Sequence, residues 1–300
     1  MSLRYRVMRR VIAKTAASRD AFTVAQLRSF QGPPAPKPVD VAGARFRPES
    51  LAGLAVEIAE PESGDTIADV LYLHGGGCVA GTPSTQRRLV GSLAREAAVR
   101  VWSIDYRLAP EHPYPAGADD TVAAYQALLE HVDPARLVLS GESGGAVIAL
   151  AALLRARDAR LAMPAAVVLL CPWTDLTLSG ESTVENAGKD MLTPAFIEMC
   201  RDAYVGSNEP SDPALSPLFA DLSSLPPMLL QVGELDLIRD DSVRFAKAAN
   251  DAGSVADLRV WPGMGHGFTG TGDDLPESRA GIAEVATWLR KQLGAGTRGS

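Results

Sequence analysis

Hydrophobic and polar positions along the chain follow two alternating periods. Short apolar runs rich in Val, Leu and Ile at Val70–Leu73, Val99–Asp105, Arg136–Ser140, Ala165–Cys171, Met228–Val232 and Leu258–Trp261 have the character of buried parallel strands. Helical patterns fill the intervals at Ser84–Ala97, Ala118–His131, Gly145–Arg157, Asp241–Ala252 and Glu277–Leu293. Two earlier runs, Ala44–Arg47 and Leu54–Ala59, predict strands that enter the sheet antiparallel. The alternation predicts an α/β fold: a mostly parallel, eight-stranded sheet with helices on both faces.

Two stretches depart from the alternation. Between Pro172 and Pro227 no strand pattern occurs, although Pro194–Tyr204 reads as a helix, and an excursion of that length predicts a lid or cap. At the other end, Leu3, Val7 and Val11 recur at four-residue spacing, with Met8 and Ile12 widening the stripe. That pattern predicts an amphipathic helix laid on the protein itself. A second polar–apolar stretch at Ala21–Phe30 leads into the proline-rich Gln31–Asp40, which cannot be regular helix or central strand and reads as a linker. The resulting organisation is a helical segment and linker over residues 1–40, a main domain over 41–293 with an insert at about 173–226, and a disordered tail over 294–300.

Composition narrows the partners. At 300 residues and 46% hydrophobic content the chain can bury a full core. A net charge of −7 argues against nucleic acid or an acidic membrane surface as the main partner. No apolar run is long enough to span a bilayer, and the basic N-terminus lacks the uninterrupted hydrophobic centre of a secretion signal. Arginines on the other face of that first helix leave a membrane-surface role as the alternative to packing. Cys78, Cys171 and Cys200 are odd in number, form no CxxC pair and have no zinc-ligand spacing with the four histidines. They read as reduced thiols of a cytoplasmic protein, with no metal and no cofactor expected.

Chemistry enters at residues 136–147, RLVLSGESGGAV. A strand, a single serine peak and a helix, with glycine two residues before and two after, form the pattern that presents Ser143 as a nucleophile. The glycines have a steric reason, since strand and helix approach too closely for a Cβ at either place. Upstream, the strand ending at Leu73 runs into His74-Gly75-Gly76-Gly77-Cys78. No G-x-G-x-x-G spacing follows, so a dinucleotide turn is excluded, and small residues that let backbone N–H groups converge suit an oxyanion hole.

The base must be one of four histidines. His131 ends a helix, His112 lies in a loop between Glu111 and Pro113, and His74 abuts the glycines, whose loop it would fix by hydrogen bonds. His266 alone follows every strand, where an order of serine, acid and histidine places the base. The acid then comes from Glu234, Asp236, Asp240 or Asp241 after the seventh strand. Asp240 and Asp241 read as N-cap and first-turn acids of the next helix, and Glu234 as a structural acceptor at the strand end. Asp236, in the loop proper, is the carboxylate expected to hold the imidazole.

These motifs resemble the hormone-sensitive lipase family of α/β-hydrolase esterases and lipases over about residues 40–290. The resemblance rests on His74-Gly75-Gly76-Gly77, on Asp105 to Glu111 (DYRLAPE), on Gly141-Glu142-Ser143-Gly144-Gly145, on Asp236 and on His266-Gly267-Phe268. It implies an α/β-hydrolase fold with a small helical cap built from the N-terminal helices and the insert. It further implies that Gly76, Gly77 and Gly144 donate N–H groups to the oxyanion, and that Asp105–Pro115 braces the loops. The chain departs from the family's usual GDSAG at Glu142 and Gly144, and it carries Cys78 where an aromatic residue is common, which widens the pocket locally. The implied activity is hydrolysis of small-molecule esters of short to medium acyl length. Lactones and carbamates react through the same tetrahedral intermediate and stay open as substrates. A non-catalytic binding protein on the same scaffold is the reading from another class. The edge strand near Leu258–Trp261 invites pairing into a homodimer.

Overall fold

The computed structural model describes residues 2–16, 23–31 and 39–294. Most of the proline-rich linker and nearly all of the tail lie outside the described residues. The elements in chain order are α1 (Leu3–Ala16), α2 (Val24–Gln31), β1 (Ala44–Leu51), β2 (Leu54–Pro61), β3 (Ala68–Leu73), α3 (Arg87–Ala97), β4 (Val99–Ile104), α4 (Ala116–Leu129), β5 (Leu137–Glu142) and α5 (Gly144–Asp158). There follow β6 (Ala166–Leu170), α6 (Ser182–Glu185), α7 (Pro194–Val205), β7 (Met228–Gly233), α8 (Arg239–Asp251), β8 (Ala256–Trp261) and α9 (Pro276–Gln292).

The eight strands form one sheet in the order β1-β2-β4-β3-β5-β6-β7-β8. β2 pairs antiparallel with both β1 and β4, while the pairs from β4 through β8 are parallel. The two early strands are thus the antiparallel entry that the sequence predicts. They run longer than their apolar cores, because an edge hairpin turning at Ala52 and Gly53 tolerates the polar residues of Arg47-Pro48-Glu49-Ser50.

Side-chain alternation explains why helices cover both faces. Along β3, Leu71 and Leu73 join the larger core beneath α4 and α5, while Val70 and Tyr72 join a second core beneath α3 and α9. β5 and β6 divide in the same way, with Leu139 and Val167 on one face and Val138 and Val168 on the other. Strands buried on both faces favour apolar residues at successive positions, which is why these runs are nearly continuous in the sequence.

The segment between β6 and β7 contains α6, α7 and a short 3₁₀ turn at Pro217–Phe219, and no strand among the described residues. Its start is tied to α8. The buried Asp241 carboxylate accepts N–H groups from Thr174 and Asp175 at 2.7 and 2.8 Å, and Arg244 pairs with the buried Asp175 at 2.7 Å. Asp240 accepts the Ser182 N–H at 2.9 Å. This corrects the sequence reading: Ile238 occupies the N-cap, and both acids lie in the first turn with their carboxylates turned to the insert.

The first helix also differs from expectation. Leu3, Val7 and Val11 are 74%, 55% and 56% exposed, so the four-residue stripe does not lie on the protein. The helix docks instead through Tyr5 and Met8 onto Met264, Phe268 and Leu275, and the side chain of Ile12 lies outside the described residues. A tyrosine ring buries more apolar area than a valine, and here its hydroxyl also accepts the Gly265 N–H at 2.7 Å. That combination selects the face.

Replacing Asp241 by Ala should strand two buried N–H groups and lower stability by about 2–4 kcal/mol. Asp241→Asn keeps a carbonyl oxygen for both and should retain most of the stability. Thermal unfolding of the two variants checks this, and equal melting temperatures for wild type and Asp241→Ala would refute it.

Candidate active site

The elbow is made by a connection of a single residue. β5 ends at Glu142 and α5 begins at Gly144, which leaves Ser143 alone at φ 54° and ψ −121°. Such backbone costs a non-glycine residue about 1–3 kcal/mol and persists only when its surroundings over-determine it. Here the Ser143 N–H donates to the Leu170 carbonyl at 2.9 Å, and the Ser143 carbonyl accepts from Ala146 at 3.0 Å and Trp173 at 3.3 Å. A Cβ on Gly141 would lie 2.6 Å from the Gly145 carbonyl oxygen, and one on Gly145 would overlap the Leu73 and His74 carbonyls. Larger residues at either place would push the serine off its peak.

Asp236 stands three residues beyond β7, and His266 five beyond β8. His266 Nδ1 lies 3.0 and 3.1 Å from the two Asp236 carboxylate oxygens, and Nε2 lies 2.8 Å from Ser143 Oγ. A carboxylate against Nδ1 assigns the ring proton there and leaves the Nε2 lone pair facing the serine hydroxyl. Asp236 is fully buried and His266 nearly so. Burial alone would lower the imidazole pKa, but the Asp236 charge outweighs it and holds the value well above that of free imidazole. The arrangement can take a proton from Ser143 Oγ and stabilise the imidazolium that results.

The glycine loop follows β3 against this elbow. Gly76 and Gly77 have φ of 124° and 63°, a left-handed path that disfavours other residues. Gly144 touches the same loop, since a Cβ on it would lie 2.7 Å from the Cys78 nitrogen and 2.9 Å from Gly77 Cα. The three glycines therefore adjoin beside Ser143. Gly144 opens α5, where the first N–H groups have no intrahelical acceptor. Cys78 donates its thiol proton to the Gly144 carbonyl at 3.2 Å, and Cys200 of α7 lies against Gly77.

His74 holds the loop from behind. Its Nδ1 donates to the Gly75 carbonyl at 2.9 Å and its ring stacks on Tyr106 at 4.3 Å, with Tyr106 Oη donating to the His74 carbonyl at 2.6 Å. Burial lowers its pKa to about 4, so it stays neutral. The segment from Asp105 to Pro115 supports it: Ala109 N–H donates to the Cys78 carbonyl at 3.0 Å, and Arg28 of α2 bridges the Val79 and Ala109 carbonyls at 2.7 Å each. Glu142 is buried beneath the loop with its carboxylate against Gly75, and accepts a hydrogen bond from the Cys171 thiol at 3.4 Å; burial raises its pKa.

Several residues at the site carry no motif in the sequence. Cys171, read as an incidental thiol, lies against both Glu142 and His266, and burial pushes its pKa up to about 12. Asn186 donates to the carbonyls of Glu234 and Asp236 at 3.1 and 2.9 Å. Asp190 accepts N–H groups from both the acid loop and the base loop, and Tyr5 meets the base loop at Gly265. Glu142, Cys171 and His266 cluster tightly enough to suggest a metal site, as do Asp190, Asp236 and His266. Both clusters share His266, whose two nitrogens are already engaged by Asp236 and Ser143, so neither offers a free ligand set. Of the remaining carboxylates, Glu234 accepts the Gly263 N–H at 2.7 Å, the structural place expected of it.

Comparison with known proteins agrees with this geometry. Residues 70–270 match a family described as having the α/β-hydrolase fold. An acetyl-hydrolase of Streptomyces hygroscopicus is 38% identical over 231 residues, covering 76% of this chain and 77% of that protein. An esterase of Acinetobacter venetianus is 36% identical over 245 residues, covering 81% of this chain and 80% of its own length. A crystal structure of a hormone-sensitive lipase from a metagenome library superposes with a TM-score of 0.91 at 34% identity, covering 96% of this chain and 98% of that one. With the sheet order, the elbow and the glycine loop in place, the chain belongs to the hormone-sensitive lipase family of the α/β-hydrolases.

Proposed function

We propose that this chain hydrolyses small carboxylic esters of short to medium acyl length through an acyl-enzyme on Ser143. It is a serine carboxylesterase, and the observation that carries the mechanism is the unbroken line from Asp236 through His266 to Ser143 Oγ, at 3.0 and 2.8 Å. His266 Nε2 takes the hydroxyl proton as Oγ attacks the ester carbonyl. Asp236 keeps the imidazole in the tautomer this requires. The N–H groups of Gly76, Gly77 and Gly144 receive the oxyanion, a service worth about 3–4 kcal/mol per donor. His266 then returns the proton to the leaving alcohol, and water repeats the sequence on the acyl-enzyme.

The N-terminal helices and the insert form the cap over this site. Phe196 and Met199 of α7 are half-buried and suited to line the acyl pocket; Leu3 and Val7, being exposed, are not. The side chain of Phe30 lies outside the described residues. Cys78 and Cys200 pack on the oxyanion loop, Cys78 against the Gly144 carbonyl and Cys200 against Gly77, with side chains smaller than an aromatic ring. An acetyl-hydrolase among the relatives supports the short end of the range. A binding protein with a decayed site is a poorer reading, because all three reacting groups are present in hydrogen-bonding geometry. No helix among the described residues is long and apolar enough to cross a membrane. The free thiols of Cys78, Cys171 and Cys200 support a reducing, cytoplasmic setting.

Turnover of p-nitrophenyl acetate, butyrate, octanoate and palmitate should fall with chain length, and Ser143→Ala should lose about 10⁶-fold in kcat. A profile that peaks at palmitate would overturn the short-chain reading, and equal rates for the two proteins would remove Ser143 from the reaction.

The pH dependence follows from the sign of the His266 shift. The reaction needs the neutral imidazole, so kcat/KM falls as pH drops through the His266 pKa. With that pKa raised, the acid limb should be centred above the ordinary value of about 6.5. Asp236→Asn removes the charge that raises it, moving the limb to lower pH and lowering kcat about 10⁴-fold. A wild-type limb centred below pH 6 would contradict the assignment.

A further inference from the structure

Asp190 lies in the insert between α6 and α7, far in sequence from each reacting group, yet its carboxylate is the meeting point of their loops. Oδ2 accepts the Leu237 N–H at 2.9 Å, one residue beyond Asp236. Oδ1 accepts the N–H of His266 itself at 2.9 Å and that of its own neighbour Met191 at 2.7 Å. Only 3% of the residue is exposed. An ion this deeply buried costs several kcal/mol unless its oxygens are satisfied, and here three backbone donors satisfy them. The fit is tight, since a Cβ on Gly265 would lie 2.6 Å from Oδ1.

We propose that Asp190 is a positioning residue for ester hydrolysis, fixing the acid loop and the base loop to one another through a single carboxylate supplied by the cap insert. This rests on the reading of Ser143, Asp236 and His266 as the reacting groups. Past Gly233 and Trp261 two backbone bonds still join the loops, Glu234 N–H to the Trp261 carbonyl at 2.9 Å and Leu235 N–H to the Met264 carbonyl at 2.8 Å, but both lie before Asp236 and His266, whose own backbone is joined across the loops through Asp190. The Asp236–His266 hydrogen bond spans the two loops but cannot also fix the backbone on each side. Asp190 does so, holding the peptide nitrogen of His266 and the one next to Asp236. Tyr5 and Asn186 add one bond to Gly265 and two to the acid loop, so α1 and the insert reinforce the contacts that the loops make with each other.

The carboxylate also acts by its charge. The titratable groups around it are Asp236 and His266 on the two loops and Tyr5 on α1, with Glu142 and Cys171 on the far side of the imidazole. Burial, and then the Asp236 charge, raise the Asp190 pKa to about 6, against the pull of His266 and the backbone donors. Once ionised it adds negative potential behind the imidazole and favours the imidazolium, the charge that develops in the transition state.

The test is Asp190→Asn, with Asp190→Ala alongside, on p-nitrophenyl acetate. The amide keeps one oxygen for His266 and Met191 but sets an NH₂ group against the Leu237 N–H. It should lower kcat about 10²-fold, the scale of a misplacement near 1 Å. KM should change by less than about three-fold, and the acid limb of kcat/KM should move to lower pH as a neighbouring anion is removed. Asp190→Ala should lose at least as much. Circular dichroism and thermal unfolding at the assay temperature report the folded fraction, to which rates are normalised. A kcat within two-fold of wild type with an unmoved acid limb overturns the proposal, as does a loss that disappears on normalisation. Labelling of Ser143 by a fluorophosphonate separates the two readings: an unlabelled wild type removes the serine mechanism and this inference with it, whereas a labelled wild type and an unaffected Asp190→Asn remove only the role of Asp190.

Discussion

The site depends on one register. β7 and β8 pair so that Gly233 stands beside Trp261, and β5, β6 and β7 are aligned with Glu142 beside Leu170 and Leu170 beside Gln231. Because these strands run parallel, their carboxyl ends open on one edge of the sheet, the edge where ligands meet open α/β sheets. A slip of one residue in β7 would exchange the side chains of its two buried faces and carry Asp236 away from His266. Met228 and Leu230 pack in one core and Leu229 in the other, so the slip is opposed by the mispacking of both. The alignment of Asp236 with His266 is thus secured by hydrocarbon packed on both faces of the strand that precedes the acid.

What the register cannot supply is the last few ångströms. Beyond the strand ends the acid and base travel on irregular backbone, and a buried carboxylate–imidazole pair is favourable only when its geometry is held. The elbow solves this for Ser143 with backbone alone, since Leu170, Trp173 and the start of α5 fix every degree of freedom around it. The acid and base loops are held by backbone bonds to each other and, from outside the sheet, by Asp190, Asn186 and Tyr5. On the proposed mechanism, a change in how the insert or α1 docks therefore reaches the reacting atoms directly.

The sheet was legible because its central strands are buried on both faces, which disfavours polar residues and leaves apolar runs such as Val167-Val168-Leu169-Leu170. The elbow was legible for a local reason, as its steric demands fall on residues next to each other in sequence. The order of serine, acid and histidine followed from the topology. Asp190, Asn186 and Cys171 were not legible, because their partners are distant in sequence and no spacing rule connects Asp190 to His266. The first helix misled for a related reason. Its Leu3, Val7 and Val11 stripe is the more regular one, but docking follows the buried ring of Tyr5 and its hydroxyl's bond to Gly265, a contact across 260 residues that periodicity does not encode. The polar reach of β1 was hidden as well, because an edge hairpin imposes little on its outward residues.

The long sequence separations have a consequence for synthesis. Ser143 and His266 are 123 residues apart, and a ribosome adding about 5–20 residues per second takes roughly 6–25 s to pass from one to the other. During that interval the chain holds Ser143 without the imidazole that pairs with it in the finished fold. On the proposed mechanism, reactivity arrives only when the strand before His266 has joined the sheet and Tyr5, among the first residues made, has packed on the loop that carries it. On the same mechanism the architecture is self-timing, since a translation product truncated before His266 has the serine and not the base.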